Sequence, residues 1–114
     1  MADDVVLINY EEGLKRMMNN AAFYAKMLVK FKGDPSFNEV SSALIAGDME
    51  KAQVSTHTLK GLAANLSLTE LFKQSLELET QIKARSVKPD QITILKNVFV
   101  QTLTEVDKVI ARNG

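Results

Sequence analysis

The sequence contains no cysteine, only two prolines and five glycines, and a single histidine among its 114 residues. Without cysteine the chain has no disulfide framework, no thiol nucleophile and no cysteine-ligated metal site. One histidine also argues against a zinc site built by this chain, and we expect neither a metal nor another cofactor on it. The scarcity of proline and glycine leaves no linker or low-complexity segment.

The sequence also has no excess of positive or negative charge, since 14 basic residues balance 14 acidic ones. A neutral surface argues against nucleic acid or an anionic membrane as the main partner. No run approaches the roughly 20 apolar residues of a transmembrane helix, and the acidic start at Met1–Asp4 is unlike a signal peptide. We therefore expect a cytoplasmic protein whose residues 1–114 form a single domain.

Apolar residues recur at helical spacing along most of the chain, with short breaks between the runs. Apolar stripes on successive helices joined by short turns predict antiparallel packing around one core. We predict an all-α fold, namely an antiparallel four-helix bundle with a short additional N-terminal helix. The predicted helical runs cover about residues 10–18, 21–32, 35–46, 48–65, 68–86 and 88 to the end of the last stripe.

Capping residues mark several of these helix starts. Asn9 with Glu12, and Ser67 with Glu70, have the spacing of a capping box, in which each side chain satisfies a free backbone amide of the first turn. The second box predicts a tight turn and an antiparallel return of the chain. Asp48, which follows a glycine, is predicted to cap the helix that carries the histidine.

The only histidine lies on the exposed face of its predicted helix. At about 100° per residue, His57 is opposite an apolar stripe formed by Ala52, Ser55, Leu59, Leu62, Ala63 and Leu66. Its exposed neighbours include Gln53, Lys60 one turn away, and the small residues Gly61 and Ala64. A glycine in an exposed helix costs about 1 kcal/mol relative to alanine, and close approach of a bulky partner to His57 would explain it. The alternative is an ordinary surface histidine beside an incidental glycine.

The order of residues favours a specific role for this histidine. His57-Thr58-Leu59-Lys60-Gly61, followed by small residues at 63 and 64, resembles the signature of the histidine-containing phosphotransfer (HPt) domain family. Ala46-Gly47-Asp48 and Leu78-Glu79 are also similar to the family, whereas Ser67 stands where many members have glycine. The resemblance implies that His57 is the phosphoacceptor of a two-component phosphorelay. It implies a phosphocarrier that exchanges the group with response-regulator receivers or a histidine kinase, and not an enzyme.

The resemblance also implies roles for the neighbours of His57. Lys60 would stabilise the negative charge of the phosphoryl group, and the magnesium ion and acceptor aspartate would belong to the receiver. By their positions beside His57 alone, Gln53, Gly61 and Ala64 would form the floor on which a receiver docks, and we expect the domain to be a monomer. Glu79 occupies the position of a glutamate that bonds the histidine in members related to chemotaxis kinases.

Hairpin geometry independently places Glu79 near the histidine. His57 lies ten residues before Ser67 and Glu79 twelve after it, so the two reach similar heights on antiparallel helices of equal rise. Because His57 points away from the core, Glu79 is expected to reach it only from the rim of the helix pair. A solvated glutamate on an amphipathic helix is the alternative.

Two other functional classes fit parts of the sequence. A non-phosphorylated helical adaptor would bind a partner helix and leave His57 incidental, and it predicts an apolar groove at the working surface. The phosphoacceptor region of a histidine kinase usually has an acidic residue directly after the histidine, where this chain has Thr58. A di-metal bundle is excluded because no Glu-x-x-His pair exists.

Overall fold

The computed structural model describes residues 5–113, and every regular element in that range is an α-helix. The all-α prediction is therefore confirmed. Met1–Asp4, on which the argument against a signal peptide rests, and Gly114 lie outside the described residues. The helices are α1 (Tyr10–Arg16), α2 (Ala21–Lys32), α3 (Ser36–Ala46), α4 (Met49–Asn65), α5 (Thr69–Lys83) and α6 (Pro89–Asn113).

The helices pack mainly against their neighbours along the chain. Helix α4 lies between α3 and α5, α5 packs on α6, and α2 packs on both α6 and the short α1. The core between them is mainly apolar, and each aliphatic side chain contributes about 1.5–3 kcal/mol when it is fully buried. The largest aliphatic side chains that are fully buried are Leu28, Leu59, Leu68, Leu71, Leu78 and Leu95.

The start of α4 is fixed by two residues that the sequence identified. Gly47 has a left-handed backbone (φ 73°) that ends α3, a conformation that costs glycine little. The side chain of Asp48 accepts a hydrogen bond from the Lys51 amide at 3.0 Å and so caps α4. From this start the predicted stripe faces the core, with Ala52, Leu59 and Ala63 buried.

The two predicted capping boxes are replaced by contacts between distant parts of the chain. Asn9 does accept a bond from the Glu12 amide at 3.2 Å, but the Asn9 amide donates to the Ser67 carbonyl at 2.9 Å. The Glu12 carboxylate accepts the Ser67 hydroxyl at 2.7 Å. The first box is therefore only half formed, and the second is wrong because Glu70 accepts from Gln74 instead.

Residues with a left-handed backbone conformation end two helices earlier than the sequence predicts. Met18 and Asn19 have φ values of 56° and 60°, so α1 ends at Arg16 and not at 18. Arg85 has a φ of 54°, so α5 ends at Lys83 and not near 86. Ser67 has a φ of 56° after α4. A side chain in this region costs about 1–2 kcal/mol, which glycine would avoid.

Tyr24 on α2 ties the N-terminal helices to the end of α4. Its hydroxyl donates a 2.6 Å hydrogen bond to the Leu66 carbonyl, and the side chain is completely buried. Burial raises the pKa of this hydroxyl to about 12. The ring lies against Gly13 of α1 so closely that a Cβ at that position would be 2.3 Å from the ring carbon that bears the hydroxyl. Gly13 is therefore required for the close approach of α1 and α2.

We predict that Gly13→Ala destabilises the protein and that Gly61→Ala stabilises it. A methyl group inserted into a packed site lowers the free energy of unfolding by about 1–3 kcal/mol. The higher helix propensity of alanine raises it by about 1 kcal/mol. The net loss at Gly13 is then up to about 2 kcal/mol, whereas a Cβ at Gly61 meets nothing within 4 Å. Urea unfolding of both variants measures the difference, and equal shifts of the same sign would contradict the packing argument.

Candidate functional site

His57 is presented to solvent from the middle of α4. Its side chain is 68% exposed, and its Nδ1 lies 2.9 Å from Oε2 of Glu79 on α5. A carboxylate accepts and does not donate, so in the neutral ring the proton is on Nδ1. The Nε2 atom then carries a free lone pair, and among residues 5–113 it has no hydrogen-bond partner. The site therefore contains a nucleophilic nitrogen that an outside group can reach.

Glu79 contacts three other side chains of the site. Its side chain is only 3% exposed, and its Oε1 accepts a 2.6 Å hydrogen bond from the Lys60 ammonium, one turn after His57 on α4. Lys83, one turn after Glu79 on α5, brings its Nζ within 3.8 Å of Oε2. The expectation that Glu79 approaches from the rim is therefore corrected. The carboxylate lies between α4 and α5, where the cation from Lys60 offsets its burial.

The charge state of Glu79 follows from these neighbours. Burial alone would raise the pKa of the carboxyl group, but the hydrogen bonds from Lys60 and His57 favour the charged form. The positive charges of Lys60 and Lys83 act in the same direction, and the pKa of Glu79 is held below its ordinary value. Glu79 is thus a carboxylate at neutral pH and accepts the proton of His57 Nδ1 in a hydrogen bond without removing it.

A shallow concavity adjoins the exposed edge of the imidazole. It has a volume of about 460 Å³ and lies over the junction of α4 and α5. We call it the His57 concavity. Its lining residues are Glu50, Gln53, Val54, His57, Thr58, Glu79 and Lys83.

The predicted docking residues do not all lie together. Gln53 is half-buried and lines the His57 concavity. Gly61 is exposed with open space around it. Ala64 instead lines a separate hollow with residues that include Glu12 and Arg16 of α1. The structure therefore places Gln53 beside the imidazole, whereas Ala64, two turns after His57 along α4, lies next to α1.

Four residues of the concavity carried no predicted role, namely Glu50, Val54, Thr58 and Lys83. Lys83 is one helical turn after Glu79, and this i, i+4 spacing would have been the signal for it. Val54 is 64% exposed although it is apolar, one turn before His57. No cluster of three or more His, Asp or Glu side chains that could hold a metal ion occurs within residues 5–113. Over the same range, none of the helices has both the length and the apolar character needed to cross a membrane.

Together these features define a class of protein: a helical domain that presents one nucleophilic imidazole on a helix pair and orients it with a buried carboxylate. The chain belongs to the Hpt domain family, whose model matches residues 34–111. Hpt domains carry phosphoryl groups on histidine in phosphorelays and interact with histidine kinases and receiver domains. Searches of curated proteins and of solved structures returned no match. Helices α1 and α2 precede the matched range.

We predict that Glu79 contributes a pH dependence to stability. Because its pKa is lower in the folded state, the unfolded chain binds more protons as the pH falls through the carboxyl range. The stabilisation is present above the unfolded-state pKa and is lost as the pH falls through the folded-state pKa. Denaturant unfolding from neutral to acidic pH should show this loss, and Glu79→Gln should remove its contribution.

Lys60→Gln provides the companion measurement, because it removes one of the causes that lower the pKa of Glu79. The loss of unfolding free energy on acidification should be smaller in this variant than in the wild type. A profile identical to wild type in both variants would show that the Glu79 carboxylate does not contribute to the pH dependence.

Proposed function

We propose that the protein is a phosphorelay intermediate that accepts a phosphoryl group on His57 and passes it to a receiver aspartate. The group would come from another receiver or from a histidine kinase. One observation carries the proposal: His57 is exposed, and its Nδ1 is engaged by a buried carboxylate, so that Nε2 is free. The match to the Hpt domain family supports the same reading.

The transfer step that we propose uses Nε2 as the nucleophile. Its lone pair forms a bond to phosphorus while the bond from phosphorus to the donor's aspartate oxygen breaks, and that oxygen leaves as part of a carboxylate. The proton on Nδ1 stays there. The positive charge that develops on the ring is stabilised by the Glu79 carboxylate, whose Oε2 lies 2.9 Å from Nδ1. The reverse sequence delivers the group to the next aspartate. Glu79 thus orients the ring and favours the reactive tautomer.

The surrounding residues have supporting roles in this proposal. Lys60 stabilises the phosphoryl group by its positive charge, which its bond to Glu79 holds in a fixed place. Gln53, Gly61 and Ala64 form parts of the receiver-docking surface, of which Ala64 is the part nearest α1. Magnesium is required on the partner receiver and not on this chain. The protein itself releases no product and is therefore a carrier.

The wider setting is also part of the proposal. We propose a monomeric cytoplasmic domain that covers residues 1–114, with receivers or a kinase as partners and no role for nucleic acid or membrane. We further propose an antiparallel four-helix bundle in which α2 and α3 together form one member and α4, α5 and α6 form the other three, with α1 as the additional helix. The packing of α2 on α6 and of α3 on α4 supports this closure.

A helical adaptor is the second candidate, and one observation favours it. A mainly apolar groove of about 480 Å³ lies between α2 and the end of α4, with Met17, Met27, Phe31 and Leu62 in its lining. An adaptor would seat a partner helix in such a groove. The groove does not include His57, so the two candidates use different surfaces.

The decisive prediction concerns His57→Gln. After incubation with a phosphorylated receiver, the wild-type protein should gain one acid-labile phosphoryl group, seen by intact mass, and the variant should gain none. Glu77→Gln, a change at an exposed position of α5 to which no role is assigned, serves as a folded control that keeps the nucleophile. If the folded wild type gains no group from any of several receivers and kinases, the adaptor function replaces this proposal.

A second prediction concerns the orientation of the ring. Glu79→Gln should slow phosphoryl transfer by about 10- to 100-fold, the usual effect of removing a group that orients a histidine. Glu77→Gln is the matched control, because Glu77 is exposed on the same helix and bonds Gln81 instead. Single-turnover transfer rates distinguish them, and equal rates in the two variants would show that Glu79 has only a structural role.

A further inference from the structure

The motif lysine is already engaged before any phosphoryl group arrives. The Lys60 ammonium is 2.6 Å from Glu79 Oε1, and its side chain is only 21% exposed. Lys60 is also absent from the lining of the His57 concavity. Leaving Glu79 for a phosphoryl group would deprive a buried carboxylate of its strongest partner, so we expect Lys60 to stay on Glu79.

Lys83 is in the opposite situation. Its side chain is 58% exposed, and its Nζ is 3.8 Å from Glu79 Oε2, beyond the usual range of a direct hydrogen bond. It lines the His57 concavity, and the Glu79 oxygen that it approaches is the one that His57 also contacts. A long, exposed side chain of this kind can change rotamer at little cost.

The remaining charges around the concavity make a cation there useful. Glu50 of α4 and Glu79 of α5 are the acidic groups in its lining, and His57 and Lys83 are the basic ones. A phosphoryl group on Nε2 adds up to two further negative charges next to these carboxylates. Lys60 already offsets the charge of Glu79, so a second cation is needed for the phosphoryl oxygens.

We propose that Lys83 is the side chain that binds the phosphoryl oxygens once the group is on His57, while Lys60 fixes Glu79. The two lysines thus have separate roles: Lys83 contacts the transferred group, whereas Lys60 holds the carboxylate in place and stabilises the group by its charge alone. The inference rests on the proposed function, because it needs a phosphoryl group on His57. It assigns a contact outside the His57–Gly61 motif.

The test measures the phosphoryl group itself. The 114-residue chain is phosphorylated with phosphoramidate: the Nε2–P bond forms, the P–N bond of the donor breaks, and ammonia leaves with a proton taken from water. The ³¹P resonance of the phosphohistidine is then followed against pH. A cation in contact with the oxygens lowers the pKa of their last ionisation, so Lys83→Ala should raise that pKa by about one unit.

Two further variants separate contact from other effects of the substitution. Lys83→Arg keeps the cation and should stay close to wild type. Lys73→Ala removes the same charge from an exposed position earlier on α5 and should also leave the titration unchanged. Lys83→Ala should in addition shorten the lifetime of the phosphohistidine several-fold, whereas Lys73→Ala should not.

The outcomes distinguish this inference from the function on which it rests. A one-unit rise in Lys83→Ala alone supports the Lys83 contact. Normal phosphorylation of His57 with identical titrations in wild type and Lys83→Ala overturns the inference and leaves the phosphorelay function standing. Failure of the folded wild type to take up a phosphoryl group overturns both.

Discussion

The carboxylate of Glu79 is the constraint on which the arrangement of the site depends. A charge almost removed from water costs several kcal/mol unless it is paired and hydrogen-bonded. Here each oxygen has a partner on α4, His57 for one and Lys60 for the other. Because the partners are one turn apart, the carboxylate fixes both the rotation and the height of α4 against α5. The hydrogen bonds that offset the cost of burying the charge also orient the imidazole towards solvent.

The degree of exposure within this small cluster follows its chemistry. The carboxylate is buried, the lysine that fixes it is mostly covered, and the imidazole is open to solvent. An exposed nucleophile is accessible to a large protein partner. It is also accessible to water, which a closed active site would exclude. This geometry suits a group carrier, because the elements that activate the phosphoryl group can come from the other protein.

Local features of the fold were predictable from the sequence, and long-range ones were not. Gly47, Asp48 and the apolar stripe of α4 follow from rules that act within a few residues, and the similar height of His57 and Glu79 follows from helical rise. The burial of Glu79 and the bond between Glu12 and Ser67 depend on residues 19 to 55 positions apart. Ala64 was placed on the His57 face by rotation alone, but the position of α1 beside it is a tertiary feature.

The hydrogen bond from Tyr24 to the Leu66 carbonyl bears on where the boundary of the folding unit lies. The family match begins at residue 34, yet Tyr24, Glu12 and Asn9 satisfy polar groups of Leu66 and Ser67 at the end of the histidine helix. A chain shortened to the matched range would leave that carbonyl and hydroxyl without these partners and would uncover part of the core. Helices α1 and α2 therefore belong to the packed unit, which extends beyond the segment that sequence similarity delimits.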